Sequence, residues 1–305
     1  MAERDRRDLP IGIFDSGMGG LTVLSALMNR LPHERFCYLG DTARLPYGTK
    51  SSNTIVRYSL QVAQKLVERD IKLLVIACNT ATAAALPHLE QAHPRLPVVG
   101  VVEPGARAAC RVSPGGNIVV LATESTIRDQ AYTRAIKALR PDANVTGIAC
   151  TLFVPLAEEG WMTGPVAEAI AARYLEPLMH GKDRQTDTKQ ERNPDNEYTP
   201  PSRPDCLVLG CTHYPPLAPV IRSVVGDGIL LIDSAATTAE AVEDRLRQLD
   251  MLRPPQPTGN SASPGNDFRP QVHFLTTDAP ERFARVGGLF LGRPLDPESL
   301  ELVVL

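Results

Sequence analysis

The sequence predicts an α/β protein with mainly parallel β-sheets, and two observations carry this prediction. Short continuous apolar runs recur along the chain, as expected for strands buried on both faces of a parallel sheet. Helix-length segments, such as 51–69, 127–139 and 236–249, alternate with these runs, which is typical of α/β architecture. The predicted strands are 11–14, 73–77, 98–102, 118–121, 206–209 and 229–232.

A short internal repeat indicates that the chain contains two similar halves. Residues 73–86 read LLVIACNTATAAAL, and residues 206–218 read CLVLGCTHYPPLA. Each segment gives an apolar strand, a cysteine (Cys78 or Cys211), polar residues that include a threonine, and then a helix. We therefore predict two pseudo-symmetric, doubly wound α/β domains. In open α/β sheets a ligand lies beyond the carboxyl ends of the strands, so we expect the active site in the cleft between the domains.

The composition argues against some classes of partner. The chain has 305 residues, a formal net charge of -3 and scattered basic residues, which gives no electrostatic reason to expect nucleic acid or a membrane surface. No apolar run approaches the length of a membrane span, and residues 1–10 do not resemble a signal peptide. We therefore expect a cytoplasmic protein, and its six cysteines, none in a CxxC pair, should be free thiols.

Two polar segments resemble insertions. Residues 181–205 are nearly all polar and contain several prolines, and residues 253–270 are rich in proline, glycine, serine and asparagine. Neither shows hydrophobic periodicity, so neither can bury enough apolar surface to order itself. We expect both to be mobile surface loops that do not carry the chemistry.

The segment Cys78-Asn79-Thr80 follows a predicted strand directly, so Cys78 is expected near the N-terminus of the next helix. Backbone N–H groups and the helix dipole at that place favour a thiolate and an anionic ligand. Asn79 and Thr80 are also good N-cap residues. Taken alone, the segment fits a buried cysteine followed by an ordinary cap equally well.

The segment Cys211-Thr212-His213 repeats this arrangement and adds an imidazole. A histidine can take a proton from a neighbouring thiol or stabilise its charge, but residues two apart need not touch, and a core cysteine before a surface histidine fits as well. We predict no metal site. Cys206 lies at the start of an apolar strand, and no fourth ligand follows Cys206, Cys211 and His213 at a familiar zinc spacing.

Other polar loops also follow predicted strands. Asp15 and Ser16 open the loop DSGMGG, which lacks the spacing of a dinucleotide fingerprint or a P-loop. Asp15 is either a helix N-cap or a polar group in the cleft. Residues 40–48 (GDTARLPYG) form a polar loop after a further short predicted strand, and residues 122–126 (ATEST) bring the hydroxyl of Thr123 to a strand end.

A glutamate pair, Glu158 and Glu159, lies in a predicted loop before Gly160. Such a pair is usually exposed to solvent, so a role for these glutamates in the cleft is less favoured than a place on the surface. Each of these signals is weak by itself. Together, two cysteine-led loops, two hydroxyl-bearing loops and one Asp-Ser loop fall at predicted strand ends, and they would line one crevice between the two halves.

Four motifs resemble those of glutamate racemase, in the cofactor-independent aspartate/glutamate racemase family. The motifs are FDSGMGG at 14–20, GDTARLPYG at 40–48, ACNTA at 77–81 and GCTHYP at 210–215. They occur in the order found in the family. The weaker stretches ATESTI and LFVPLAEEG extend the resemblance over most of the chain.

The resemblance implies a cofactor-independent racemisation of glutamate in which Cys78 and Cys211 are the two acid/base thiols. Asp15, His213 and Glu158 resemble the polar groups that tune these thiols. The two-thiol arrangement suits the reaction, because inversion removes a proton on one face of the α-carbon and returns one on the other, and a thiol titrates near operating pH. The expected substrate-binding residues are Asp15, Ser16, Tyr47, Gly48, Asn79, Thr80, Thr123, Thr212 and His213.

The resemblance also implies the domain organisation. The first domain would comprise residues 8–100 and 235–305, and the second would comprise 101–234 with the polar insertion at 181–205. We further expect a homodimer that supplies D-glutamate for peptidoglycan and needs neither nucleic acid nor a membrane. The chain departs from the family at Thr151, where a proline usually follows Cys150, and in the length of both insertions.

Three alternatives stay open from the sequence alone. The same two-cysteine frame could serve an aspartate racemase or another amino-acid racemase or isomerase. A non-catalytic amino-acid binding module would also close on a ligand, although it has no reason to place a cysteine in each half. A Cys–His hydrolase would use Cys211 and His213 and leave Cys78 dispensable.

Overall fold

The computed structural model describes residues 5–179, 203–255 and 270–305, which form two parallel β-sheets with flanking helices. The strands are β1 Ile11–Asp15, β2 Arg35–Gly40, β3 Leu73–Ile76, β4 Val98–Gly100, β5 Asn117–Ala122, β6 Asn144–Ala149, β7 Cys206–Gly210, β8 Leu230–Asp233, β9 Gln271–Thr276 and β10 Leu300–Leu302. The helices are α1 Leu21–Arg30, α2 Ser52–Val67, α3 Asn79–Ala92, α4 Val102–Val112, α5 Glu124–Arg128, α6 Ala131–Leu139, α7 Phe153–Glu158, α8 Pro165–Met179, α9 Ala218–Val225, α10 Ser234–Gln248 and α11 Pro280–Leu291.

The two sheets share one strand order. The first sheet runs β10-β9-β2-β1-β3-β4, and the second runs β6-β5-β7-β8. The order β2-β1-β3-β4 therefore recurs as β6-β5-β7-β8, so that β3 and β7, the strands that precede Cys78 and Cys211, are equivalent. This repeat and the parallel pairing of the strands confirm the predicted fold class.

Apolar residues of the central strands face both sides of each sheet, as the continuous apolar runs predicted. In β3, Leu73 and Val75 join the largest hydrophobic cluster, while Leu74 and Ile76 join a second cluster on the opposite face. The largest cluster also contains Leu207 of β7. One continuous core therefore joins the two sheets and fixes the cleft between them.

Two helices cross from one sheet to the other. Helix α4 follows β4 of the first sheet but packs against α6 and β7 of the second. Helix α10 follows β8 of the second sheet but packs against α1 of the first. The division into residues 8–100 with 235–305 and residues 101–234 stays a prediction.

Three sequence expectations about secondary structure were wrong in detail. Residues 127–139 are not one helix, because Gln130 has a φ of 51° and this left-handed residue separates α5 from α6. The strand predicted at 98–102 ends at Gly100, which pairs with the last residue of β3, and the chain turns into α4 where its partner strand ends. Glu158 ends α7 and does not lie in a loop.

The two predicted insertions fall largely outside the described residues, at 180–202 and 256–269. Asp205, at the end of the first insertion, is held by the Ser113 hydroxyl at 2.6 Å and the Gly115 N–H at 2.9 Å. Within the described ranges, no helix combines the length and the apolar character that crossing a membrane requires.

Candidate active site

A cavity of about 160 Å³ lies where the carboxyl ends of the two sheets face each other. We call it the cleft cavity. Ser16 after β1 and Cys78 after β3 line it from one side, and Thr123 after β5 and Cys211 after β7 line it from the other. The remaining predicted residues on its wall are Tyr47, Gly48, Asn79, Thr80, Thr212 and His213.

Cys78 lies at the N-terminus of α3, as the sequence predicted, but it is itself the N-cap residue, and the expected caps Asn79 and Thr80 are the first two residues of the helix. Its Sγ accepts a hydrogen bond from the N–H of Ala81 at 3.4 Å and donates its own proton to the Ser16 hydroxyl at 3.6 Å. Burial raises the pKa of the Cys78 thiol to about 12, and the nearby Asp15 carboxylate adds to this increase. The N–H of Ala81 and the Ser16 hydroxyl oppose it without cancelling it. Cys78 is therefore a thiol at neutral pH until a proton acceptor is generated in the cavity.

Asp15 lies beneath the glycine-rich loop and does not line the cleft cavity. One carboxylate oxygen accepts the N–H groups of Gly17 at 3.0 Å and Gly20 at 3.1 Å. Within the described ranges, the other oxygen has no hydrogen-bond partner. Burial raises the pKa of Asp15, while positive charge on His213 and the two N–H groups oppose this effect. The structure thus brings Asp15 into electrostatic reach of Cys78 and His213, without a direct place on the cavity wall.

Cys211 begins a chain of polar contacts that we call the relay. Its Sγ lies 3.8 Å from Nδ1 of His213, and Nε2 of His213 lies 3.2 Å from one carboxylate oxygen of Glu158. The other oxygen of Glu158 accepts a hydrogen bond from Arg282 at 2.8 Å. The relay consists of Cys211, His213 and Glu158. Cys211 and His213 are two residues apart, whereas Glu158 comes from a distant part of the sequence.

The relay is built to hold positive charge beside Cys211. Burial lowers the pKa of His213, but hydrogen bonds to Cys211 and Glu158 outweigh this effect and raise the pKa to about 10. For Glu158, burial raises the pKa, and the hydrogen bond from His213 together with the charges of His213 and Arg282 brings it below its usual value. At neutral pH an imidazolium is therefore placed 3.8 Å from the Cys211 sulfur, and the Glu158 carboxylate lies behind it.

Comparisons with known proteins agree with this geometry. The family model described as Asp/Glu/Hydantoin racemase matches residues 22–242. The chain belongs to this family. It is 48% identical over 285 residues to the glutamate racemase of Geobacter metallireducens, an alignment that covers 93% of each chain. The chain is thus an isomerase, and the resemblance predicted from the four motifs is confirmed.

Solved structures support the same assignment. The crystal structure of a glutamate racemase from Bacillus anthracis matches with a TM-score of 0.81 and 31% identity, and it covers 98% of both chains. The glutamate racemase of Francisella tularensis, solved in complex with D-glutamate, matches with a TM-score of 0.80, 32% identity and the same coverage. The two-sheet α/β fold of this racemase is therefore the fold of glutamate racemases.

Several hydrogen bonds cross the cleft beside the cavity. The hydroxyl of Thr80 lies 2.9 Å from that of Thr123, and the hydroxyl of Tyr132 donates to the side-chain oxygen of Asn79 at 2.7 Å. The hydroxyl of Thr22 donates to the carbonyl of Thr212 at 3.0 Å. These contacts join the two halves of the racemase in a closed arrangement that keeps the cavity small.

Glycine is required where the first half approaches the relay. A Cβ atom on Gly19 would collide with the imidazole of His213 and would lie 2.7 Å from the hydroxyl of Thr212. A Cβ atom on Gly17, in the same loop, would meet Leu45 at an ordinary 3.4 Å. The second glycine of the motif thus serves close packing across the cleft, which the sequence could not distinguish from a role in ligand approach.

Sequence reasoning missed several residues of the site. Arg282 was not singled out, because it lies in α11, far along the chain from every cysteine. Tyr132 was missed because it is a buried aromatic residue in a helix, where a core role is the usual expectation. The cleft cavity is also lined by Pro46, Thr49, Glu124, Thr151, Val154 and Pro155. Thr151, the departure from the family pattern, therefore faces the site.

Proposed function

We propose that this racemase interconverts L-glutamate and D-glutamate by proton transfer between two cysteine bases, Cys78 and Cys211. The observation that carries the proposal is the placement of these two thiols. They follow equivalent strands of the two sheets, and both line one small cavity. A single base cannot reach both faces of a bound α-carbon, whereas two bases on opposite walls can.

The different surroundings of the two thiols suggest which one acts first as the base. We assign Cys211, whose sulfur lies beside the His213 imidazolium, as the base that removes the α-proton from one enantiomer. Cys78, whose pKa is raised to about 12, begins as the thiol and delivers its proton to the opposite face. The product then leaves Cys211 as a thiol and Cys78 as a thiolate, and the next turnover in the other direction reverses both transfers.

The Cys78 thiolate formed in this way has hydrogen-bond donors next to its sulfur. The N–H of Ala81 and the Ser16 hydroxyl lie within hydrogen-bond reach of its sulfur, and the N-terminus of α3 favours negative charge there. These groups lower the free energy of the thiolate without making it the resting form. The arrangement fits a thiol that must release its proton during turnover and regain it afterwards.

The carbanion that forms between the two thiols needs donors for its carboxylate. Asn79 lines the cavity, and its buried side-chain N–H₂ has no partner within the described part of the chain. Thr80 and Thr212, which each carry a hydroxyl, also line this cavity. Donors fixed in a small cavity stabilise developing charge better than water does, because they need not reorient. We assign the α-carboxylate of the substrate to these donors.

Glutamate is the proposed substrate because the relatives point to it. The Geobacter metallireducens protein is a glutamate racemase, and the Francisella tularensis enzyme was solved with D-glutamate. We propose cofactor-independent catalysis because none of the described residues that line the cavity is a lysine, the residue on which pyridoxal phosphate forms its Schiff base. The product D-glutamate would serve peptidoglycan synthesis in the cytoplasm.

The deciding experiment is circular dichroism of purified protein incubated with L-glutamate and no added cofactor. We expect the signal to decay to zero and the decay to be lost in Cys78→Ala and in Cys211→Ala. Decay with aspartate but not with glutamate would transfer the proposal to an aspartate racemase. Binding without decay would favour the binding module, and full activity in Cys78→Ala would favour a mechanism that uses Cys211 and His213 alone.

The homodimer is a separate proposal. Its basis is the resemblance to glutamate racemases alone. Light scattering after size-exclusion chromatography measures it directly, and a particle with the mass of one chain at micromolar concentration would contradict it.

A further inference from the structure

Helix α11 contacts the relay at two places, although it packs with the first half of the molecule. Arg282, near its beginning, donates a hydrogen bond to Glu158 at 2.8 Å. Phe290, near its end, meets the ring of His213 edge-on with 5.0 Å between ring centroids. The helix itself is anchored by Phe283, which is buried beside Tyr38 of β2. An element of one half therefore holds the polar groups behind the cysteine of the other half.

The contact between Arg282 and Glu158 is poorly suited to a purely stabilising role. The Arg282 side chain is 45% exposed, and exposed ion pairs contribute little to folding free energy because water screens them and the side chains lose entropy. The Glu158 carboxylate is only 14% exposed. It divides its two oxygens between Arg282 and His213, so the Arg282 bond fixes which oxygen faces the imidazole.

We propose that Arg282 is a positioning residue for the Cys211 base. It acts through Glu158, whose fixed carboxylate holds the His213 ring in the orientation that presents Nδ1 to the Cys211 sulfur. This inference rests on the proposed function, because it concerns one of the two proposed thiol bases. Arg282 itself touches neither the cleft cavity nor a thiol.

The chain offers a matched set of variants. Arg282→Gln removes the positive charge and replaces the guanidinium by a shorter, neutral amide, and Arg282→Lys keeps the charge and an N–H donor. Arg285→Gln makes the same charge change one turn along α11, at an exposed side chain for which the described structure shows no hydrogen bond or ion pair. The sole tryptophan, Trp161, lies three residues after Glu158, so its emission reports whether that region stays folded.

Two measurements are made on each variant. The first is kcat/KM for glutamate. The second needs no substrate: the rate at which iodoacetamide alkylates Cys211, divided by the rate for Cys78 in the same sample, is measured by mass spectrometry. Loss of a hydrogen bond to a charged group should lower both quantities about tenfold in Arg282→Gln. Arg282→Lys should restore most of both, and Arg285→Gln should resemble the wild type.

A double-variant test separates positioning from general loosening. Because Arg282 acts through Glu158, adding Arg282→Gln to Glu158→Gln should not change the alkylation ratio further. An independent, additive effect would overturn the proposal. So would equal ratios in Arg282→Gln and Arg285→Gln, or parallel changes at both cysteines. A wild-type protein that does not racemise glutamate would defeat the proposed function instead, and the alkylation ratio would still test the role of Arg282.

Discussion

The two halves of the cleft place the same group in opposite electrostatic surroundings. Cys78 and Cys211 follow equivalent strands, β3 and β7. Cys78 lies near the buried carboxylate of Asp15, and within the described residues its sulfur has only the Ser16 hydroxyl and the Ala81 N–H as hydrogen-bond partners. Cys211 lies beside His213, which is held as an imidazolium by Glu158. The repeated fold thus places the two thiols at equivalent positions, and the local side chains give them different electrostatic surroundings.

The difference concerns where the proton rests and not which direction is faster. L- and D-enantiomers have the same free energy in water, so kcat/KM must be the same for both directions whatever the environments of the bases. A reaction with one proton shared between two thiols needs one acid and one base at the start of each turnover. Unequal surroundings favour one thiol as the acid and the other as the base.

The largest expected effect comes from removing either thiol. Cys78→Ala and Cys211→Ala should each reduce racemisation by about 10³-fold or more, as expected for loss of a general acid or base. The cysteine that remains should still exchange the α-proton with solvent for one enantiomer, the one whose α-proton points toward that cysteine. Proton NMR in deuterium oxide with each enantiomer measures this exchange. If both variants exchange the same enantiomer, the two thiols do not act on opposite faces.

The next effect tests how closely the halves must approach. Gly19→Ala should lower kcat/KM about 100-fold, because the new methyl group displaces the His213 ring, and a displacement of about 1 Å near the reacting groups can cost about two orders of magnitude in rate. Gly17→Ala, in the same loop, should stay near wild type because its methyl group has room. Equal activities of the two variants would contradict the close-packing role of Gly19.

The relay predicts a change in pH dependence. The pKa of His213 is raised to about 10, so the imidazolium is present below that pH and is lost as pH rises through it. Glu158→Gln removes one of the groups that raise this pKa, so the alkaline loss of kcat/KM should begin about one to two pH units lower. Titration of the substrate is common to both enzymes and cancels in the comparison.

Glu159→Gln is the control for this pH profile, since Glu159 is exposed and adjacent in sequence. Its profile should coincide with that of the wild type. An unchanged alkaline limb in Glu158→Gln would show that the relay does not set the charge beside Cys211. The acidic sides of the two profiles should differ little, because the pKa of Glu158 is already below its usual value.

The smallest expected effect concerns a hydrogen bond that crosses the cleft. Tyr132→Phe removes the donor to Asn79 and should lower the free energy of unfolding by about 1 kcal/mol, with a few-fold rise in KM as the Asn79 amide loses its orientation. Chemical denaturation and steady-state kinetics measure the two effects. Tyr58→Phe, whose ring instead packs against Arg44, is the control. A KM equal to that of the wild type would argue against substrate contact by Asn79.

Much of the fold followed from local sequence patterns. The runs at 11–14, 73–77 and 206–209 identified central strands because such strands are buried on both faces and must be apolar throughout. Strands β6, β9 and β10 did not stand out. Strand β6 is partly exposed along its length, so polar residues interrupt its apolar pattern. The break at Gln130 was also invisible, because a left-handed residue inside a helical pattern depends on how α5 and α6 pack.

The sequence by itself determined the parallel α/β class, the two cysteine-led strand ends and the family resemblance. These features are encoded by hydrophobic period and by short motifs, which act over a few residues. The tertiary structure decided what surrounds each thiol. Asp15, Glu158 and Arg282 come from distant parts of the chain, and they affect a cysteine only through space, because electrostatic and hydrogen-bond energies depend on distance and burial and not on sequence separation.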